Sequence, residues 1–258
     1  MTDIAPLLLD LARTHLLIAG LVFLRVGAAM ALMPAFGDRL VPVRVRLALA
    51  LALTAVAAPA VGAGVGIPQA DIGSLALFLL AETANGLALG FVLRLFVLAL
   101  EIAGGLAAQS GSLSQMVATS GEPLPAIAHL LVLSGLALAV LAGLHVQIAR
   151  ALILSYDALP AGRFLPAALA RDWSVAQLGR AFALAFSLAA PFVIAGLVYN
   201  VALGVINRAM PMLMVSFVGA PALTAGALIL LAVCLPLMLA VWQAAFASHL
   251  GDPFLVPR

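Results

Sequence analysis

Residues 72–100 read IGSLALFLLAETANGLALGFVLRLFVLAL. As one α-helix this stretch would be about 43 Å long at ~1.5 Å per residue, more than the ~30 Å hydrocarbon core of a bilayer requires. Its few polar and small residues are ordered. Glu82, Gly86, Gly90 and Arg94 recur every fourth position and so share one drifting stripe of a helix. Asn85 lies beside the stripe, and Glu101 falls on nearly the same face beyond Arg94. A charge at the bilayer centre costs about 2.5–3.5 kcal/mol on insertion scales, so this face, like Arg25 in the first apolar block, points to burial against helices of this chain or another. Gly86 and Gly90 have the spacing that lets two helix backbones approach closely. Arg94 and Glu101 have a second reading, snorkelling at a helix end.

The rest of the chain agrees with a membrane-type helical protein. Of 258 residues, 66% are apolar and 9% charged, and the mean hydropathy is +1.25. Soluble domains are roughly 45–50% apolar and about 25% charged, so a water-facing globule is excluded. Disorder is excluded too, because the chain carries too much apolar surface to stay solvated. The net charge is +2, with every basic residue an Arg and none set in a dense patch, which argues against nucleic acid as a partner. The single cysteine, Cys234, excludes an internal disulfide and a multi-cysteine zinc site.

Six apolar blocks follow one another: 14–36, 43–58, 72–100, 126–149, 173–206 and 211–248. The expected fold is all-α, a single domain over residues 1–258 of helical hairpins with several kinked or broken hydrophobic helices. The first and fourth blocks have the length of one membrane span. Block 43–58 has a short apolar core closed by Pro59, which suits a re-entrant or protein-buried helix. The last two blocks are too long for one straight span. Pro191, Pro211, Pro221 and Pro236 mark expected kinks or breaks, since proline removes a backbone donor and crowds the preceding turn. The N-terminus does not read as a signal peptide: Arg25 interrupts the apolar run and no cleavage site follows.

Arginine placement conflicts with a simple serpentine topology. Arg39, Arg44 and Arg46 follow the first block, and Arg150, Arg163 and Arg171 follow the fourth, whereas 59–71 and 101–125 contain no Arg. If both basic loops stay cytoplasmic, an even number of crossings separates them, yet three blocks intervene. One of these does not span, with 43–58 the first suspect and 72–100 the second. Irregular backbone at membrane depth is tolerated only against protein or a water-filled cavity.

Two further polar features stand out. Segment 103–125, AGGLAAQSGSLSQMVATSGEPLP, has too many hydroxyls for a lipid-facing helix and no basic anchor; it reads as the lining or closure of an aqueous path, or as a surface loop. Asn200, Gly204 and Arg208 form a second stripe, with Asn207 adjacent as a capping residue before Pro211. No catalytic, metal or cofactor site is expected. The four histidines lack metal-ligand spacing, there is no HExxH, and Ser112 has no surrounding constellation to make it a nucleophile. The Gly62, Gly64, Gly66 run is a loop, because no strand precedes it.

A family resemblance becomes specific once these residues are set in order. Leu24-Arg25-Val26-Gly27, Pro34 through Arg39, Pro42 and Arg46-Leu47-Ala48 resemble the opening of the flagellar biosynthetic protein FliR family. The likeness runs on through Glu82, Gly86, Leu89-Gly90-Phe91, Arg94 and Glu101 through Gly104 to Gln109 and Gly111. It continues at Ser155-Tyr156, Leu159-Pro160 and Gly162, and then at Asn200, Leu203-Gly204, Asn207-Arg208, Pro211 and Phe217 through Pro221. It departs where the family carries Asp-Pro and Pro-Gln-x-Asn: here the residues are Gly121-Glu122-Pro123 and Pro211-Met212-Leu213-Met214. The resemblance implies a subunit of the type III protein export gate in the bacterial inner membrane, at the flagellar basal body. Its implied partners are FliP-like, FliQ-like and FlhB-like proteins, membrane lipid and unfolded flagellar export substrates. A virulence (injectisome) export gate is the alternative, and a secondary transporter the more distant one, though no internal repeat is visible. Carried onto this sequence, a pore plug falls at about 106–122 and includes Gln109, Ser110, Gly111, Ser112 and Met116. Arg25, Glu82, Asn85, Gly86, Gly90, Arg94, Glu101, Asn200, Asn207 and Arg208 are then assembly or buried polar positions.

Overall fold

A computed structural model describes residues 4–34, 41–66, 71–110, 125–209, 215–251 and 254. Among them are seven α-helices and no strand: α1 (Ile4–Leu32), α2 (Val43–Val61), α3 (Ile72–Ser110), α4 (Ala126–Leu141), α5 (Leu144–Ala158), α6 (Ala167–Ala209) and α7 (Val215–Gly251), with a 3₁₀ turn at Gly62–Gly64 after α2. Five segments among the described residues are long and apolar enough to cross a membrane: Ala12–Leu32, Val43–Val61, Ile72–Ser110, Ala167–Ala209 and Pro221–Gly251. The pair α4 and α5, counted as one broken span, would make a sixth. At ~1.5 Å per residue, α3, α6 and α7 reach about 55–65 Å, roughly twice the hydrocarbon thickness.

Local chemistry sets the helix ends. Asp71 caps α3: its carboxylate accepts from the Ser74 amide at 3.2 Å, and the Ser74 hydroxyl returns a bond to the Asp71 carbonyl at 2.8 Å, satisfying groups a helix start leaves open. Within the helices, Thr54, Thr83, Ser134, Ser174 and Ser187 each donate to the carbonyl four residues back. Such back-bonding lets hydroxyls sit on apolar helices without an unpaired donor.

Three expectations are corrected. The prolines do not break their helices: α6 runs through Pro191, and α7 runs through Pro221 and Pro236, while α2 passes Pro59 before ending at Val61. One lost donor does not unravel a helix whose remaining backbone groups have nowhere else to bond in apolar surroundings. Pro211 lies outside the described residues. Block 126–149 is not one helix: it divides at Gly143, whose φ of 80° places it in the left-handed region that costs other residues about 1–2 kcal/mol. Finally, α2 is not short, and this chain itself leaves much of its apolar surface uncovered. It takes in Arg44 and Arg46, and Val43, Val45, Leu47, Leu51 and Val56 are all exposed.

The chain forms two compact units. The first comprises Met1–Arg94, Gly143–Gln177 and Ala247–Arg258; the second comprises Leu95–Ala142 and Leu178–Phe246. In the first, α1 packs along α2, and α2 also meets α5. The buried face of α1 is Ile18, Leu21, Val22, Arg25, Val26, Ala29 and Met30, a helical-period stripe with one charge at its centre. In the second, the Trp242 indole donates to the Phe96 carbonyl at 2.8 Å, and Phe246 stacks on Trp242 at 5.0 Å and meets Phe96 edge-on at 5.5 Å. Gly104 lies against the Ala128 backbone, and Gly135 against Leu100 and Trp242, so α4 approaches α3 at positions where a larger residue would not fit.

Candidate functional site

The first unit is organised around a buried ion pair. Arg25 and Glu82 have side chains 0% and 1% exposed. Their contact is bidentate: Arg25 Nε donates to Glu82 Oε2 and Nη2 to Oε1, both at 2.9 Å. Two glycines make this approach possible. A Cβ on Gly86 would overlap the Arg25 carbonyl oxygen and come within 2.9 Å of the Ala28 Cβ, and one on Gly90 would overlap the Ala29 carbonyl oxygen. The α1 and α3 backbones are therefore in contact at the level of the charges. This is the close approach that the Gly86–Gly90 spacing allows, here within one chain.

The remaining valences of the pair go to the end of α5 and the turn that follows it. Arg25 Nη1 donates to the Ser155 carbonyl and to its hydroxyl, both at 3.2 Å, and Nη2 donates to the Leu159 carbonyl at 3.0 Å. A guanidinium has five N–H donors, and each has an acceptor here. Glu82 is equally occupied: the Gly162 amide donates to Oε1 at 2.9 Å and the Tyr156 hydroxyl to Oε2 at 3.1 Å, beside the two Arg25 bonds. The Arg25 guanidinium also lies 3.7 Å from the Tyr156 ring centroid, a cation–π contact. Asn85, one helical step from the stripe, donates to the Arg163 carbonyl at 2.9 Å. Gly162 adopts a φ of 73°, and Phe78 fills the space a Cβ would need there.

A buried, unpaired charge costs several kcal/mol, which is why such groups are found paired and hydrogen-bonded. The network meets that requirement with every donor and acceptor of the pair in use. Its chemical capacity is to cross-link α1, α3 and the α5–α6 turn. It has no open coordination site and no free lone pair for a substrate. Among the described residues no group of three or more His, Cys, Asp or Glu side chains is placed to hold a metal ion.

A family model described as bacterial export proteins, family 1, matches residues 16–249. The flagellar biosynthetic protein FliR of Caulobacter vibrioides is 35% identical over 236 residues, covering 90% of this chain and 94% of that protein. The chain belongs to the FliR family of bacterial export proteins. The matched span takes in both charges of the pair, the Ser155–Arg163 segment that surrounds them, and all of α6.

The other residues singled out from this FliR-family sequence lie elsewhere. Arg94 and Glu101 are half-buried along α3. Asn200, Asn207 and Arg208 are exposed on the last turns of α6, among exposed Leu197, Val198, Val201 and Val205. Gln109 and Ser110 belong to the last turn of α3, with Gln109 exposed and Ser110 half-buried. The helix thus continues into segment 103–125 as far as Ser110. Gly111, Ser112 and Met116 lie outside the described residues. Ser110 contributes to an apolar cavity of about 360 Å³ whose walls include Phe192, Gly196 and Tyr199 of α6 and Leu223 and Val233 of α7.

Sequence reasoning assigned no role to Ser155, Tyr156 or Gly162, although all three fall in the resembling segment. Three acceptors, the Ser155, Leu159 and Arg163 carbonyls, are backbone atoms and leave no side-chain signal.

Proposed function

We propose that this chain is a subunit of the flagellar type III protein export gate, set in the bacterial inner membrane and assembling with FliP-like, FliQ-like and FlhB-like proteins to pass unfolded flagellar subunits. The observation that carries this reading is the likeness to the Caulobacter FliR protein over 90% of the chain and 94% of that protein. The chain then acts as a scaffold and channel component, not as an enzyme.

The surface supports the same reading. The last turns of α6 mix exposed Val198, Val201, Val205 and Ile206 with exposed Asn200, Asn207 and Arg208. Water does not suit the first set and hydrocarbon does not suit the second; a partner helix offering apolar contact and acceptors suits both. In this reading the Asn200–Arg208 stripe is an assembly contact. The strip from about 106 to 122 seals the closed pore and moves when substrate enters.

Deletion of the gene is expected to abolish flagellar assembly and export of hook and filament subunits, with restoration by the intact chain. Export that continues at the normal rate in the deletion strain would refute the reading. Removing residues 110–118 is expected to leave the complex assembled and raise ion leakage across the membrane; unchanged conductance would remove the plug assignment.

A further inference from the structure

We propose that the Arg25–Glu82 pair is a latch that selects one docking register for α5 and the α5–α6 turn, and that its contribution is this selection more than net stability. Apolar packing alone does not choose a register here. The buried face of α5 is Leu144, Ile148, Ala151, Leu152 and Ser155, and a shift by one turn would exchange aliphatic for aliphatic at most positions. The polar groups do distinguish the registers. A shifted α5 would take the Ser155 hydroxyl and the Ser155 and Leu159 carbonyls away from Arg25 Nη1 and Nη2. It would also take the Tyr156 hydroxyl and the Gly162 amide away from Glu82. Both ions are fully buried, so each abandoned bond would leave a charged donor or acceptor without a partner.

Register selection is the best-attested use of buried polar groups. Replacing a whole buried pair by apolar residues is often neutral for stability, whereas removing one partner is not. The same bonds fix the turn from within. The Leu159 carbonyl, Gly162 amide and Arg163 carbonyl are all held by side chains of α1 and α3, while Arg163 and Phe164 point outward and are exposed. The latch therefore holds those two outward side chains in one orientation. This inference concerns the fold of the chain itself and stands whether or not the export-gate reading does.

The test is hydrogen exchange on the full-length protein in lipid nanodiscs, comparing the peptide over 155–166 with the peptide over 43–61. Glu82→Gln keeps the shape of the side chain but sets an amide NH₂ against donors that now meet a carboxylate oxygen. Arg25→Met with Glu82→Met removes both charges at similar volume. In each variant exchange over 155–166 is expected to rise tenfold or more, with 43–61 unchanged and, for the double variant, an unshifted thermal midpoint. Unchanged exchange over 155–166 in both variants would show that packing holds the turn and would overturn the latch. A rise across the whole chain, with a lowered midpoint in the double variant, would overturn it as well, because the pair would then be a general stability element. Tyr156→Phe deletes one hydroxyl from the network and keeps the ring. It is expected to raise exchange two- to fivefold over 155–166 alone, and no rise there would also count against the latch.

Discussion

Replacing Gly86 by Ala tests the contact on which the buried ion pair depends. The added methyl would overlap the Arg25 carbonyl oxygen and sit 2.9 Å from the Ala28 Cβ, where carbon atoms normally rest about 3.5–4.0 Å apart. The α1 and α3 backbones must therefore separate by roughly 1 Å to reach ordinary contact distance. Overpacking of that kind costs about 1–3 kcal/mol. The same separation stretches the 2.9 Å bonds between Arg25 and Glu82 past hydrogen-bonding distance, and bonds to charged groups are worth about 1.5–3 kcal/mol each. With two such bonds lost, a total of about 4–9 kcal/mol follows. At about 2–4 °C per kcal/mol for a chain of this size, the thermal midpoint falls by roughly 10–35 °C. Gly20 and Gly105 are the controls, because a Cβ on either meets nothing within 4 Å. Both lie in helix interiors, where Ala is favoured by roughly 0.5–1 kcal/mol. Thermal unfolding of the detergent-purified variants, followed by circular dichroism at 222 nm, makes the comparison. Gly86→Ala melting together with Gly20→Ala and Gly105→Ala would refute the close backbone contact.

Other consequences can be checked on the same preparations. Arg25→Ala alone leaves Glu82 buried without its cation and is expected to cost about 3–5 kcal/mol, read as a loss of membrane-inserted protein by immunoblot. Trp242→Phe gives up the bond to the Phe96 carbonyl and should lower stability by about 0.5–1.5 kcal/mol. Trp173→Phe gives up an indole N–H that has no acceptor among the described residues, so it should cost less while keeping a ring against Phe254; equal losses would contradict the assignment. Gly162→Ala and Gly143→Ala both place a side chain at positive φ, a strain of about 1–2 kcal/mol, but only at Gly162 does Phe78 occupy the new methyl's space. Gly162→Ala is therefore expected to melt below Gly143→Ala.

The helical character of the chain was plain in its sequence, since long apolar runs with few charges admit little else. The importance of Glu82, Asn85, Gly86 and Gly90 was also legible, because the four-residue spacing puts them on one face of a long helix. Periodicity gives a face and not a partner. Nothing local distinguishes Arg25 from Arg94 as the mate of Glu82, and the backbone carbonyls of Leu159 and Arg163 have no sequence signature. Proline does not end the helix at Pro191, Pro221 or Pro236, where apolar surroundings hold the helix together through the missing donor. Gly143 was under-read, because a glycine inside an apolar run looks like one more small residue until its φ is known. The span of α2 was underestimated by counting its strongly apolar core and leaving out Arg44 and Arg46, which lengthen the helix at its start.

Site-specific photo-cross-linking in flagellated cells tests the central claim, that the apolar faces this chain leaves exposed are covered by other membrane subunits. Probes at Val201 and Val205, 59% and 65% exposed on α6, are to be compared with probes at Val22 and Leu93, both 0% exposed. Val201 and Val205 are expected to capture FliP-like or FliQ-like chains in high yield, while Val22 and Leu93 capture none. A chain that captures lipid alone from Val201 and Val205, and migrates as a solitary species, would contradict the claim.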